Sequence, residues 1–125
     1  NTDYTITSDS IPLGTGTEVV KVKALKSIAE TTTEPKYREH VTTWFHDNPT
    51  LVSQSHVPAP AYLMNKSHRL TVDTRNDLTL MEKIFNEFYS LASPLLDLEK
   101  VIRFLDARPD ISQINADTPQ KNWRS

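Results

Sequence analysis

The sequence predicts an α/β fold with three or four short strands and about four helices. Three observations carry this expectation. Glu18-Val19-Val20-Lys21-Val22 is rich in β-branched residues, and Ala24, Leu25, Ile28 and Ala29 follow it at helical spacing. Leu70 and Val72 alternate with Arg69, Thr71 and Asp73, which is the period of a strand. Thr74 then stands three residues before Asp77 at the head of a long apolar-periodic run, an S/T-x-x-acid helix start.

Taken in order, Asp3 to Thr7 alternates weakly and reads as a short strand. Ser8 to Gly16 is a loop holding Pro12 and both glycines of the protein, Gly14 and Gly16. That concentration implies either an ordinary turn or a backbone requirement such as positive φ or close approach of another group. The Gly-Lys-Ser/Thr ending of a phosphate-binding Walker loop is missing. The strand at 18–22 leads into a short helix over about 23–30. Thr31 to Glu34 breaks it, and Pro35 suits the first position of the next helix. In that helix Tyr37, Val41, Trp44 and Phe45 form one apolar face, until Asn48-Pro49 ends it.

Leu51 to Ser55 is a further strand candidate. Pro58 and Pro60 make Val57 to Tyr62 a loop or edge segment. Beyond Thr74 the expected inward stripe is Leu78, Met81, Ile84, Phe85, Phe88 and Leu91, broken by Ser93-Pro94. Asp97 can cap a second helix with Leu98, Val101, Ile102 and Leu105 inward, stopped by Arg108-Pro109. Ile111 and Ile114 indicate a last short turn. Residues 1–114 are expected to form one folded portion and 115–125 a polar tail, relieved only by Trp123.

Composition narrows the function classes. There are no cysteines, which excludes disulfides and thiolate metal sites and is compatible with a cytoplasmic location. The 14 basic and 16 acidic residues form no basic block, so no nucleic-acid partner is expected. No apolar run approaches the roughly eighteen residues needed to span a bilayer, so no membrane partner is expected either. The opening Asn1-Thr2-Asp3-Tyr4 lacks a Met and reads as a cut from something longer.

Asp73 is the residue of most chemical interest. It stands at the end of the expected strand, beside a helix N-terminus, where open α/β sheets bind ligands. A carboxylate there can hold a divalent cation that in turn holds phosphates. It can equally be one of the Asp and Thr residues that satisfy free N–H groups of a first helical turn. Glu18, directly after the glycines, is either a solvated strand-edge acid or part of a site, and His40, beside Glu39, either packs or binds.

Several segments together resemble, in order, the C-terminal part of cytidylyltransferases of the spore-coat-polysaccharide type, relatives of the acylneuraminate (CMP-sugar) cytidylyltransferases. Asp3-Tyr4 is similar to the start of that family's Asp-Tyr-Val-Ser-Asn strand. Pro12-x-Gly14-x-x-x-Glu18-Val19 is similar to Pro-x-Gly-x-Asp-x-Glu-Val, Arg38-Glu39-His40-Val41-Thr42 to Arg-Glu-His-Val-Thr, and Thr71-Val72-Asp73-Thr74 with Asp77-Leu78 to Thr-Val-Asp-Thr-x-x-Asp-Leu. Phe104-Leu105-Asp106, Pro109 and Ile114-Asn115 resemble the closing helix and tail.

The resemblance implies the C-terminal part of a Rossmann-like nucleotide-diphospho-sugar transferase fold. It implies transfer of CMP from CTP to an acidic or modified sugar, with release of pyrophosphate, in surface polysaccharide or glycan synthesis. It makes Asp73 a Mg²⁺ ligand and puts Glu18, Arg38, Glu39 and His40 near the sugar or in support of the site. Two departures accompany it. Gly16 stands where the family has Asp, and the Arg-rich nucleotide-gripping loop of the family's N-terminal half is not among these 125 residues. This chain alone is therefore not expected to be active. The alternative expectation is a noncatalytic binding or assembly module that keeps the fold. In either case the apolar surface left by a missing half points to a homo-oligomer.

Overall fold

A computed structural model describes residues 2–7 and 10–120. Ser8 of the expected loop and Trp123 of the expected tail lie outside them. Among the described residues there are three strands and six short α-helices, the α/β class the sequence predicts. The chain divides into two units, one holding the first strand and Thr17–Pro58, the other the Gly14 loop and Ala59–Pro119.

In the first unit, β1 (Tyr4–Thr7) lies between β2 (Glu18–Val20) and β3 (Gln54–Val57). β2 runs antiparallel to β1, with Tyr4 opposite Val20, and β3 runs parallel to it, with Tyr4 opposite Gln54. A parallel neighbour needs a long crossover. Here it is built from α1 (Val22–Thr31), α2 (Pro35–Glu39) and α3 (Thr43–Asp47). The alternation of β1 sorts its side chains. Tyr4 and Ile6 face the core, where Tyr4 stacks on Phe45 at 4.8 Å beside Ile28. Thr5 faces away and meets Ser55 on β3, hydroxyl to hydroxyl, at 2.8 Å.

Two expectations change in this unit. The helix expected from Pro35 to Asn48 is broken at His40–Thr42, where turn bonds run from Thr43 N–H to the His40 carbonyl and from Phe45 N–H to that of Thr42. Val41-Thr42-Thr43 is a run of three β-branched residues, which disfavours a continuous helix. The break buries Thr43 and Phe45 and leaves Val41 exposed. The third strand begins at Gln54 rather than Leu51, because Asn48 to Leu51 closes a turn and the Ser53 carbonyl accepts from Asp3 and Tyr4.

In the second unit, α4 (Arg75–Phe88) packs Leu80 and Ile84 against Val101 and Leu105 of α5 (Leu98–Ala107) and Ile111 of α6 (Pro109–Ser112). Asp97 caps α5 through the Lys100 N–H, and Arg108-Pro109 ends it, both as the sequence predicts. A 3-10 turn at Gln113–Asn115 follows. Asn115, the first residue of the expected tail, is buried.

The inward stripe of α4 differs from expectation. Leu78, Phe85 and Leu91 are exposed, and Leu80, absent from the expected stripe, is buried. Asp77 is also buried, so positions 77, 80 and 84 set the rotation of the helix. The helix ends at Phe88, before Ser93-Pro94 is reached.

The strand expected at Leu70–Val72 is reduced to one parallel bridge between Leu13 and Arg69. Leu13 donates to the His68 carbonyl at 3.1 Å and accepts from Leu70 at 2.7 Å. A ladder needs a neighbour that keeps running alongside, and the Leu13 segment turns away at once. Thr15 N–H closes on the Pro12 carbonyl, and Gly14 takes φ +92°. A β-carbon on Gly14 would lie 2.3 Å from the Leu70 carbonyl oxygen, so only glycine permits this approach. A β-carbon on Gly16 would meet only an ordinary contact, 3.9 Å from Ile11 Cδ1. Of the two glycines, Gly14 carries the backbone requirement.

Candidate functional site

The turn into α4 is organised by a carboxylate, and the carboxylate is Asp77. It is 0% exposed. Its Oδ1 accepts from Arg69 Nε at 2.8 Å and from Asn115 Nδ2 at 2.7 Å. Its Oδ2 accepts from the backbone N–H groups of Asp73 and Thr74, at 3.0 and 2.9 Å, and from the Thr74 hydroxyl at 2.9 Å. Thr74 Oγ1 accepts in return from the Asp77 N–H, completing a capping box with Asp in the place of Glu or Gln. The Arg69 guanidinium holds the Asp77 carboxyl well below the usual carboxylate range. Burial opposes this, and Asn115, the Asp73 N–H and Thr74 reinforce it.

This leaves Asp73 free of the capping role that the sequence allowed it. Its side chain is 52% exposed and takes Arg69 Nη2 on Oδ2 at 2.6 Å. Arg69 itself is buried between the two acids. Two carboxylates share one guanidinium, so the trio carries a net charge of about −1 at neutral pH, presented at its exposed member, Asp73. The approach to Arg69 is pinned by Asp106 of α5, which accepts from Lys66 at 2.5 Å and pairs with His68 Nε2 at 2.8 Å. Over the first turn of α4 lies an open cleft of about 360 Å³ lined by Thr74, Arg75, Asn76 and Asp117.

For a divalent cation the donor set is small. Among the described residues no three His, Asp or Glu side chains converge into a metal cluster. Asp73 can offer one carboxylate, which matches the way Mg²⁺ binds through one or two carboxylates with the remaining oxygens from phosphates and water. The residues fit a shared cation site and do not fit a self-sufficient one.

Glu18, Arg38, Glu39 and His40 all belong to the first unit. Glu18 opens β2, and its Oε1 accepts from the buried Tyr4 hydroxyl at 2.5 Å. His46 Nε2 lies 2.9 Å from that hydroxyl and 3.3 Å from Glu18. Desolvation pushes the Glu18 carboxyl up, but hydrogen bonds from Tyr4, Thr42 and His46 outweigh it and hold it below its ordinary value. Arg38 donates to the Ala29 carbonyl at 2.9 Å, satisfying an orphan acceptor in the last turn of α1. Glu39 is exposed, and His40 is the partly buried C-cap of α2.

Sequence reading missed Tyr4 and His46 as partners of Glu18, and Arg69 and Asn115 as partners of Asp77. These pairs are separated by between 8 and 38 residues, and no local periodicity connects them. The one local signal was the Thr74-x-x-Asp77 spacing, which did identify the cap.

No protein-family model matches the chain. It is 35% identical over 124 residues to an uncharacterized protein of Methanocaldococcus jannaschii, covering 99% of this chain and 49% of that protein. In three dimensions it is similar to a cytidylyltransferase from Leptospira borgpetersenii serovar Hardjo-bovis. The TM-score is 0.75 at 18% identity, over 96% of this chain and 48% of that one. The chain thus spans about half the length of the proteins it matches. No described helix is long and apolar enough to cross a membrane. The fold of the chain is mixed α/β, similar to that of a cytidylyltransferase.

Proposed function

We propose that this chain forms part of a sugar nucleotidyltransferase that transfers CMP from CTP to an acidic or modified sugar and releases pyrophosphate. The observation that carries the reading is the position of Asp73 within a cytidylyltransferase-like fold. It is a half-exposed carboxylate at the start of α4, held in place by Arg69 and relieved of capping by Asp77. In this reading Asp73 supplies one ligand to Mg²⁺, with the other oxygens from the nucleotide phosphates. When bound, the cation's contribution is charge neutralisation at the α-phosphate during attack of the sugar hydroxyl. Arg75 and Asn76, on the cleft beside Asp73, are suited to phosphate oxygens. Glu18, Arg38, Glu39 and His40 serve the sugar or its surroundings, as the spore-coat and acylneuraminate resemblance implies.

The test is pyrophosphate release from CTP with sugar acids by a polypeptide that carries this chain, with and without Mg²⁺. Asp73→Asn is expected to abolish Mg²⁺-dependent release, and unchanged release would reject the metal role. A second reading, a noncatalytic binding or self-assembly module, is favoured by Gly16 in place of the family's Asp and by the exposed Leu78, Phe85, Leu91 and Leu95. It predicts no release with any sugar acid and concentration-dependent association in sedimentation.

A further inference from the structure

We propose that the groove between α1 and the α2–Val41 segment of the first unit binds a small organic monocarboxylate with an apolar body. The inference rests on the groove's own lining and shares only Arg38 with the nucleotidyltransferase reading, in which that residue supports the surroundings of the site. The groove encloses about 340 Å³, within the range of small-molecule sites. Val22, Leu25, Lys26 and Ala29 fall at i, i+3, i+4 and i+7 of α1 and form its near wall. Tyr37 and Val41 form the far wall. Val22 and Val41 are 66% and 59% exposed, so the rim presents apolar surface to water.

The charge of the groove chooses the occupant. Its lining contains two cations, Lys26 and Arg38, and no carboxylate among the described residues. The bond from Arg38 to the Ala29 carbonyl fixes the guanidinium at the groove while using one of its five donors. A planar donor fork held in place favours a carboxylate, and the apolar walls favour a hydrocarbon body over a sugar or a nucleotide. Ala29 is the small residue that leaves room for that body.

The test is an NMR titration of the ¹⁵N-labelled chain with 4-phenylbutyrate and, in parallel, with its uncharged amide. The expected result is saturable shifts centred on Leu25, Ala29, Arg38 and Val41, with the amide binding roughly ten-fold more weakly. Lys26→Gln and Arg38→Gln are each expected to weaken the acid by about three- to ten-fold while leaving the amide unchanged. Ala29→Leu should fill the groove and abolish both. If Arg38→Gln fails to fold because the Ala29 carbonyl of α1 loses its donor, Lys26→Gln decides alone, since that side chain is exposed. Equal affinity for acid and amide, shifts centred elsewhere, or no saturation would each overturn the proposal.

Discussion

Asp77 and Glu18 are both carboxylates held by several donors, and they differ in what surrounds them. Asp77 is sealed and has a guanidinium as its partner, with an amide, a hydroxyl and two backbone N–H groups filling the remaining positions. Glu18 stays about one-third exposed, and its partners are a tyrosine hydroxyl, a threonine and an imidazole. A buried charge is tolerated only when its lone pairs are satisfied and its charge is paired. Asp77 meets that condition and so can serve as a structural centre. Glu18 keeps contact with solvent and with the His46 imidazole. Asp73 extends the contrast. It lies four residues from Asp77 and shares its arginine, yet faces solvent.

The sharpest way to break this comparison is Asp77→Asn. It takes the buried carboxylate away from the Arg69 guanidinium, which keeps its bond to the half-exposed Asp73, and is expected to cost about 3 kcal/mol of stability, read by chemical denaturation. A loss near zero would mean that Arg69 finds other partners and that the turn is not built on Asp77. Asn115→Ala removes the donor to Asp77 Oδ1 and to the Arg69 carbonyl, leaving both without that partner in a buried place. The expected cost is about 2 kcal/mol.

Gly14→Ala sets positive φ and a 2.3 Å approach against any side chain, with an expected cost of about 1–3 kcal/mol. Gly16→Ala, whose added methyl meets only an ordinary contact with Ile11, should change stability by only about 0.5 kcal/mol. Asp73→Asn removes only the half-exposed acid and leaves Arg69 paired with Asp77, so the expected cost is about 1 kcal/mol or less, and this variant should stay folded and lose only what Asp73 binds.

Acid sharpens the same contrast. The Asp77 carboxyl is depressed in the folded state, so its stabilisation is complete above the unfolded value of about 3.9. That stabilisation is lost as the pH falls from there toward the lower folded value. Glu18 is also depressed and acts in the same direction. Melting followed between about pH 5 and pH 2 should therefore show stability falling with pH, and Asp77→Asn should flatten the slope. An unchanged slope would place the acid sensitivity elsewhere.

Much of the fold was legible because its signals are local. The caps at Thr74 and Asp97, the stop at Arg108-Pro109 and the strands at Tyr4 and Glu18 each depend on residues within a few positions of one another. The failures share a cause. Leu70 to Val72 has strand periodicity, but a strand exists only beside a partner, and Leu13 supplies one residue of it. The face of α4 was misjudged because apolar periodicity gives no weight to a buried acid, and Asp77 turns the helix toward Arg69. At the site, Asp73 was legible as a carboxylate at a helix start. Its release from capping was not, because it depends on Arg69 and Asn115 closing around Asp77.

Asp77 holds the turn, and in the proposed function its neighbour Asp73 faces the ligand. The most direct test of this division is paramagnetic broadening of the ¹⁵N-labelled chain by Mn²⁺ in the presence of CTP, for the natural sequence and for Asp73→Asn. The account predicts broadening centred on Asp73, Thr74 and Arg75 in the first and none there in the second, with both folded. Broadening that survives Asp73→Asn, or none at this turn in either, would contradict it.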